Sequence, residues 1–317
     1  MNMTTKPIGK TDLRIPPIAF GGNVFGWTID KKQSFKMLDE LYELGFNYID
    51  TADVYSRWVD GNSGGESERI IGAWMKDRGL RDRMIIATKV GMDVGQGGIS
   101  LASDHVHKQI DQSLKNLQTD YVDFYYSHRD DPDLTVATIM DTHADLISQG
   151  KVRHLGASSF PLDRFKESQD YAAKHDQPRY EIYQPEYSLI NRNDFENGYQ
   201  EYVQQEQIAV TNYWALANGF LTGKYDSIEQ IEKSERSGNL KKYWNDRGRA
   251  ILKALKTVSQ DLAISQAGVT IAWTMVQPGI TAPIVSATKS SQLKAFKEAI
   301  SSNLTGEHIK LLNEVSA

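Results

Sequence analysis

No cysteine occurs anywhere in the 317 residues. Disulfides, thiolate nucleophiles and cysteine-held metals are therefore excluded. Basic charge is not in excess either: 36 Lys and Arg stand against 41 Asp and Glu, a formal net charge of −5. Nucleic acid or an anionic membrane calls for clustered positive charge, so neither is expected as a partner. No apolar run is long enough to span a bilayer. The opening "MNMTTKPIGKTD" has no apolar stretch for a secretion signal. A cytoplasmic location is the expectation. No G-x-G-x-x-G follows the first apolar run, which argues against a Rossmann nucleotide site. No linker rich in Pro, Gly and Ser, internal repeat or low-complexity tract divides the chain, so a single domain over residues 1–317 is expected.

What is present is alternation. Eight short apolar runs, "PIAFGG" (17–22), "FNYIDT" (46–51), "RMIIATKVG" (83–91), "DYVDFYYSH" (120–128), "VRHLGASS" (152–159), "YEIYQPEY" (180–187), "IAVTNYWAL" (208–216) and "ITAPIVSA" (280–287), punctuate the chain. Helical patterns separate the earlier ones: 33–45, 66–79, 104–118 with Ser103 or Asp104 as N-cap, 133–150, and 161–175 with Pro161 in its first turn. Strands alternating with helices predict an α/β fold with a parallel sheet, here a (β/α)8 TIM barrel. The length exceeds the ~250 residues usual for such a barrel. The surplus is expected in an N-terminal hairpin, "TKPIGKTDLRIP", in a polar insertion at 225–248, and in extra C-terminal helices. An insertion of that length, carrying Tyr243 and Trp244, is a candidate mobile lid.

In a barrel, residues at the C-terminal ends of different strands converge on one cup. The second run delivers Asp50, with Tyr55 in the loop beyond; the third ends at Lys89 and the fourth at His128. Each has an ordinary alternative. Asp50 can cap a turn, Tyr55 can pack, Lys89 can snorkel to solvent, and His128 can be a structural hydrogen-bonder. Three successive strands ending in ionisable groups raise the joint reading above the separate ones. The "HVH" at 105–107 is no metal pair, since residues two apart on a helix do not share a face, and no metal site is expected. A phenol titrating near ~10 is a reluctant acid, and a neighbouring ammonium is expected to lower that value. Lys89 can supply the charge, Asp50 can hold Lys89, and His128 can donate to a carbonyl oxygen. No side chain here provides a hydride, so carbonyl reduction would need a nicotinamide.

With "DTADVY" carrying Asp50 and Tyr55, "ATKVG" carrying Lys89 and "SHRDD" carrying His128, the chain resembles the aldo-keto reductases. "GGESERIIG", "IYQPEYSLI" and "NYWALANGFLTGKY" extend the likeness over nearly the whole sequence. The resemblance implies the eight-stranded barrel and a catalytic set of Asp50, Tyr55, Lys89 and His128. It also implies NADP(H), preferred over NAD(H), extended across the barrel mouth. Gln184 would hold the nicotinamide carboxamide beside Ser158 and Ser159, with Tyr213 stacked on the ring and Gly22 nearby. Trp214, Leu216, Gly219, Leu221 and Lys224 would surround the pyrophosphate. Ser286, Lys289 and Gln292 would receive the adenosine end. The chain departs from the family at Ser159, where an amide is frequent, at Thr288, where an arginine is common, and at Phe296, where many members have asparagine.

The expected partner is a small-molecule carbonyl compound. Phe25, Trp27, Trp58 and Trp244 read as aromatics near the mouth, suited to an apolar or flat substrate, though each can equally pack a loop. Arg129 has two options, an anionic substituent or a salt bridge to Asp130 or Asp131. Two rival activities remain: a Schiff-base enzyme using Lys89, and a non-catalytic cofactor-binding regulatory subunit of the same fold.

Overall fold

The structure is a computed structural model that describes residues 3–234 and 237–317. A two-stranded antiparallel hairpin, β1 (Lys6–Pro7) and β2 (Arg14–Ile15), precedes eight parallel strands. These are β3 (Ala19–Gly21), β4 (Tyr48–Asp50), β5 (Ile85–Val90), β6 (Val122–Ser127), β7 (Val152–Ser158), β8 (Tyr180–Gln184), β9 (Ala209–Val210) and β10 (Ile284–Val285). Each falls inside one of the eight apolar runs. They pair in the order β10-β3-β4-β5-β6-β7-β8-β9. The N–H groups of Thr281 and Ala282 donate to Val210 O at 2.9 and 3.1 Å, and that of Ile284 to Asn212 O at 2.9 Å. Those bonds join the two ends of the sheet into a barrel.

Helices α1 (Lys31–Glu43), α2 (Glu66–Arg78), α3 (Ser103–Leu117), α4 (Val136–Ser148) and α5 (Leu162–Lys174) carry the chain from strand to strand. The short α6 (Asn193–Glu196) and α7 (Tyr199–Gln205) lead to β9. Between β9 and β10 lie α8 (Ile228–Glu232), α9 (Ser237–Leu240), α10 (Asp246–Leu262) and α11 (Gln266–Met275); α12 (Leu293–Ser301) and α13 (Gly306–Ser316) end the chain. Local chemistry sets the ends. Asp30 caps α1 in a reciprocal box with Gln33, because its carboxylate accepts the Gln33 N–H at 2.8 Å while the Gln33 amide oxygen accepts the Asp30 N–H at 3.1 Å.

Two expected ends moved by one or two residues. Neither Ser103 nor Asp104 caps α3: Ala102 holds that position with no side-chain cap bond, and its N–H is turned toward the Ser100 hydroxyl at 3.3 Å. Pro161 stands at the N-cap of α5 rather than inside its first turn.

Two apolar layers result from the period of two along each strand. Outward residues such as Ile49, Ile86 and Tyr125 pack beneath the helices. Inward residues Tyr48, Ile85, Ala87, Phe124, Tyr126 and Ile182 fill the barrel, and Ile8 and Ile15 of the hairpin close its floor. Gly156 on β7 is required inside, since a Cβ there would stand 2.5 Å from the Tyr126 ring. Continuing the inward ladders toward the C-terminal ends of the strands reaches Asp50 after Tyr48, Lys89 after Ala87, His128 after Tyr126 and Gln184 after Ile182. The apolar filling thus ends in a polar tier.

Candidate active site

Lys89 is fully buried and its ammonium makes three hydrogen bonds, to Asp50 Oδ2 at 2.6 Å, Thr51 O at 2.8 Å and Tyr55 Oη at 3.3 Å. The other carboxylate oxygen of Asp50 accepts from Gln184 Nε2 at 2.9 Å. Tyr55 reaches this point from the loop after β4, where its N–H closes a turn onto Ala52 O at 3.1 Å. Its ring meets those of His128 and Trp58 edge-on, with centroids 6.1 and 5.7 Å away. The four ionisable residues named from the sequence therefore converge, with Gln184 as a fifth member bound into the carboxylate.

The charges correct one expectation. The Lys89 ammonium does pull the Tyr55 phenol down, but burial is the larger effect and Asp50 adds to it, so the phenol sits above its ordinary value and is protonated at neutral pH. Burial works against the Lys89 charge, yet Asp50 and Tyr55 outweigh it and hold the ammonium above its usual range. His128 is driven well below the usual imidazole value, first by burial and then by the cations Lys89 and Arg129. It is a neutral ring, and its Nδ1 is buried without a hydrogen-bond partner among the described residues.

These groups lie against a cavity of about 980 Å³, at the upper end of the ~300–1,000 Å³ typical of ligand sites. Asp50, Tyr55, His128, Arg129, Trp27 and Met92 line one part. Ser158, Ser159, Gln184 and Tyr213 line the next, with the Ser158 hydroxyl donating to Gln184 O at 2.9 Å. Beyond them come Trp214, Leu216, Gly219 and Lys224, then Ser286, Thr288, Ser291, Gln292 and Lys294.

Three residues assigned to the cofactor lie outside this wall. Gly22 is buried behind it, its carbonyl accepting from Ser67 Oγ at 2.8 Å, while Gly21 and Asn23 line the cavity. Leu221 is buried in the outer core, and Lys289 is exposed between the lining residues Thr288 and Ser291 without lining the cavity itself. Ser286 faces inward, with its hydroxyl 2.8 Å from both Gly21 O and Asn23 Oδ1. The Gln292 amide oxygen accepts the N–H groups of Thr288 at 2.7 Å and Lys289 at 3.2 Å.

Sequence reading missed Asn23 and Lys294 as cavity residues. Asn23 is flagged only by following two glycines at a strand end, and Lys294 only by standing second in α12. Of the four aromatics placed near the mouth, Trp27 lines the cavity and Trp58, 48% exposed, packs edge-on against it at 5.5 Å. Phe25 stacks on Phe20 in the core and Trp244 packs on Phe220. Those two are packing residues.

The insertion after β9 is folded rather than a bare loop. Ile231, Leu240 and Tyr243 are buried, and Ser234 and Asn239 line the cavity. Residues 235 and 236 of the expected lid lie outside the described residues. No helix among the described residues is long and apolar enough to cross a membrane, and no group of His, Asp and Glu among them is placed to hold a metal.

A profile of the aldo/keto reductase family matches residues 17–317. An NADP(+) aryl-alcohol dehydrogenase of Phanerodontia chrysosporium is 31% identical over 95% of this chain and 83% of its own length. A probable voltage-gated potassium channel subunit beta of Oryza sativa subsp. japonica is 30% identical over 94% and 91%. An L-glyceraldehyde 3-phosphate reductase of Escherichia coli is 28% identical over 94% and 87%.

Proposed function

The chain belongs to the aldo/keto reductase family, and we propose that it is an NADP(H)-dependent oxidoreductase that reduces an aldehyde or ketone to the alcohol. The observation that carries this reading is the Asp50–Lys89–Tyr55 hydrogen-bond chain set against a large cavity. The residues along that cavity suit an extended dinucleotide. Tyr213 offers a ring face, and Ser159 and Gln184 offer polar groups beside it. Ala217, Asn218 and Gly219 have φ of 45°, 57° and 91°. The backbone therefore turns tightly beside the cavity, with the N–H groups of Ala217 and Gly219 donating to Trp214 O at 2.7 Å and Leu216 O at 2.8 Å. When bound, the nicotinamide supplies the hydride that the carbonyl carbon receives.

The rest is the chain's own chemistry. Neutral Tyr55 gives its proton to the carbonyl oxygen, and the Lys89 ammonium 3.3 Å away stabilises the phenolate left behind. Asp50 keeps Lys89 in place, and neutral His128 orients the carbonyl by a hydrogen bond. For the Schiff-base alternative Lys89 is a poor nucleophile, because it is a buried cation with all three N–H bonds engaged. The preference for NADP(H) draws support from the aryl-alcohol dehydrogenase relative and from the cations Lys224 and Lys294 on the cavity wall. Lys294, at the start of α12, lines the cavity, where it also pairs with Glu298 at 3.4 Å, and Lys289 lies in the adjoining exposed turn; both are candidates for a 2′-phosphate.

The test is oxidation of NADPH, with NADH alongside, against a panel of aldehydes, ketones and quinones. Tyr55→Phe should retain NADPH binding, read by tryptophan fluorescence, while turnover falls ~10²-fold or more. Near-normal turnover in the variant would place the proton source elsewhere, with His128 the first candidate.

A further inference from the structure

The cation next to His128, Arg129, is exposed at the cavity mouth and not paired with the acids that follow it in the chain. Asp130, the nearest acid in sequence, is taken: Arg164 grips it through a fork, Nε to Oδ2 at 2.9 Å and Nη2 to Oδ1 at 3.0 Å. Asp131 is also taken, by the N–H groups of Leu101 at 2.9 Å and Asp133 at 3.2 Å. Arg129 has no hydrogen-bond or ion-pair partner among the described residues, and it lines the cavity. It follows His128 directly in the chain and lines the same cavity as Tyr55 and His128, which puts it at the reacting end. Among the described residues Asp50 is the only carboxylate lining the cavity, and it is already held by Lys89 and Gln184. Trp27 and Met92 supply apolar surface on the same wall, with Trp58 against Trp27.

From this we infer that the substrate is an anionic carbonyl compound, with a carboxylate or phosphate bound by Arg129 and an apolar body laid against Trp27 and Met92. The inference rests on the reductase reading and deepens it. A guanidinium presents a planar fork of N–H donors that matches either anion in two-point contact. A cation at the mouth of a cleft also draws anions toward it. Arg129 acts on the bound substrate rather than on the reaction, so its removal should appear mainly in KM.

The experiment compares 4-carboxybenzaldehyde and 4-formylphenyl phosphate with the neutral methyl 4-formylbenzoate, in wild type, Arg129→Gln and Arg129→Lys. In wild type, kcat/KM for at least one anion should exceed that for the ester by tenfold or more. Added salt should narrow the margin. Arg129→Gln should bring the margin to within about threefold through KM, and Arg129→Lys should fall between. Which anion gains most distinguishes carboxylate from phosphate. If the ester is turned over but no anion preference depends on Arg129, this inference fails while the reductase reading stands. A loss of NADPH affinity in Arg129→Gln, with the three substrates falling alike, would give Arg129 to the cofactor and also overturn it. No turnover of any substrate by wild type would overturn both.

Discussion

At Lys89 the side chain's three donors meet three acceptors, and one of them is a carboxylate buried as deeply as the ammonium. The pair is a positioning device with a structural consequence. Lys89→Met would leave Asp50 buried with only Gln184 as partner, and breaking a buried pair in this way costs about 3–5 kcal/mol. Denaturant unfolding should show that loss, and turnover should disappear with it. Borohydride added with a carbonyl substrate should leave Lys89 unmodified in the wild type, and a trapped adduct would revive the Schiff-base alternative. The residues of this site were legible as types at strand ends, because a polar group closing an apolar run is conspicuous. The direction of the Tyr55 shift was not legible. It depends on how completely the phenol is enclosed, and enclosure is a property of the assembled barrel.

Among the elements, the strands were the easiest to read. Each apolar run became a strand, because short runs bounded by turn residues have nowhere to go but the barrel wall. Helix starts were less legible: α3 begins one residue earlier than a Ser103 cap and two earlier than an Asp104 cap would place it, and Ser100 engages the Ala102 N–H instead. The insertion of residues 225–248 is the largest difference. Its polar composition reads as a loop, yet Ile231, Leu240 and Tyr243 anchor short helices, and Lys241 pairs with Glu232 at 3.0 Å. With Ser234 and Asn239 on the cavity wall, this element should respond to a bound cofactor. Trypsin should cut at the exposed Lys241 and Lys242 in the free protein, and saturating NADP+ should slow that cleavage severalfold. Equal rates with and without NADP+ would make the segment a fixed wall.

For the whole molecule, buried neutral histidines set a limit on acid stability. His143 is fully buried between Ile139 O at 2.8 Å and Ser127 Oγ at 3.2 Å, and burial, the largest cause, brings its pKa down to about 4. An unfolded imidazole takes its proton near ~6.5. Between those values the unfolded chain binds more protons than the folded one, so stability falls as pH drops from about 6.5 toward 4. His143 alone contributes roughly 3 kcal/mol to that fall, and His128 acts in the same direction. Denaturant midpoints measured at pH 7 and 4.5 should show it, and His143→Gln should flatten the slope whatever it does to the value at pH 7. An unchanged slope would mean that His143 does not govern acid unfolding. The amino-acid order by itself determined the alternation of strand and helix, the floor hairpin and the polar strand ends, because these follow from local periodicity and turn chemistry. Only the tertiary structure decided which polar groups pair. Asp130 and Asp131 stand beside Arg129 in the chain, yet Arg164 and two backbone N–H groups reach them first and leave Arg129 to the cavity. Competition among partners distant in sequence is settled by packing geometry, and a reading along the chain has no access to it.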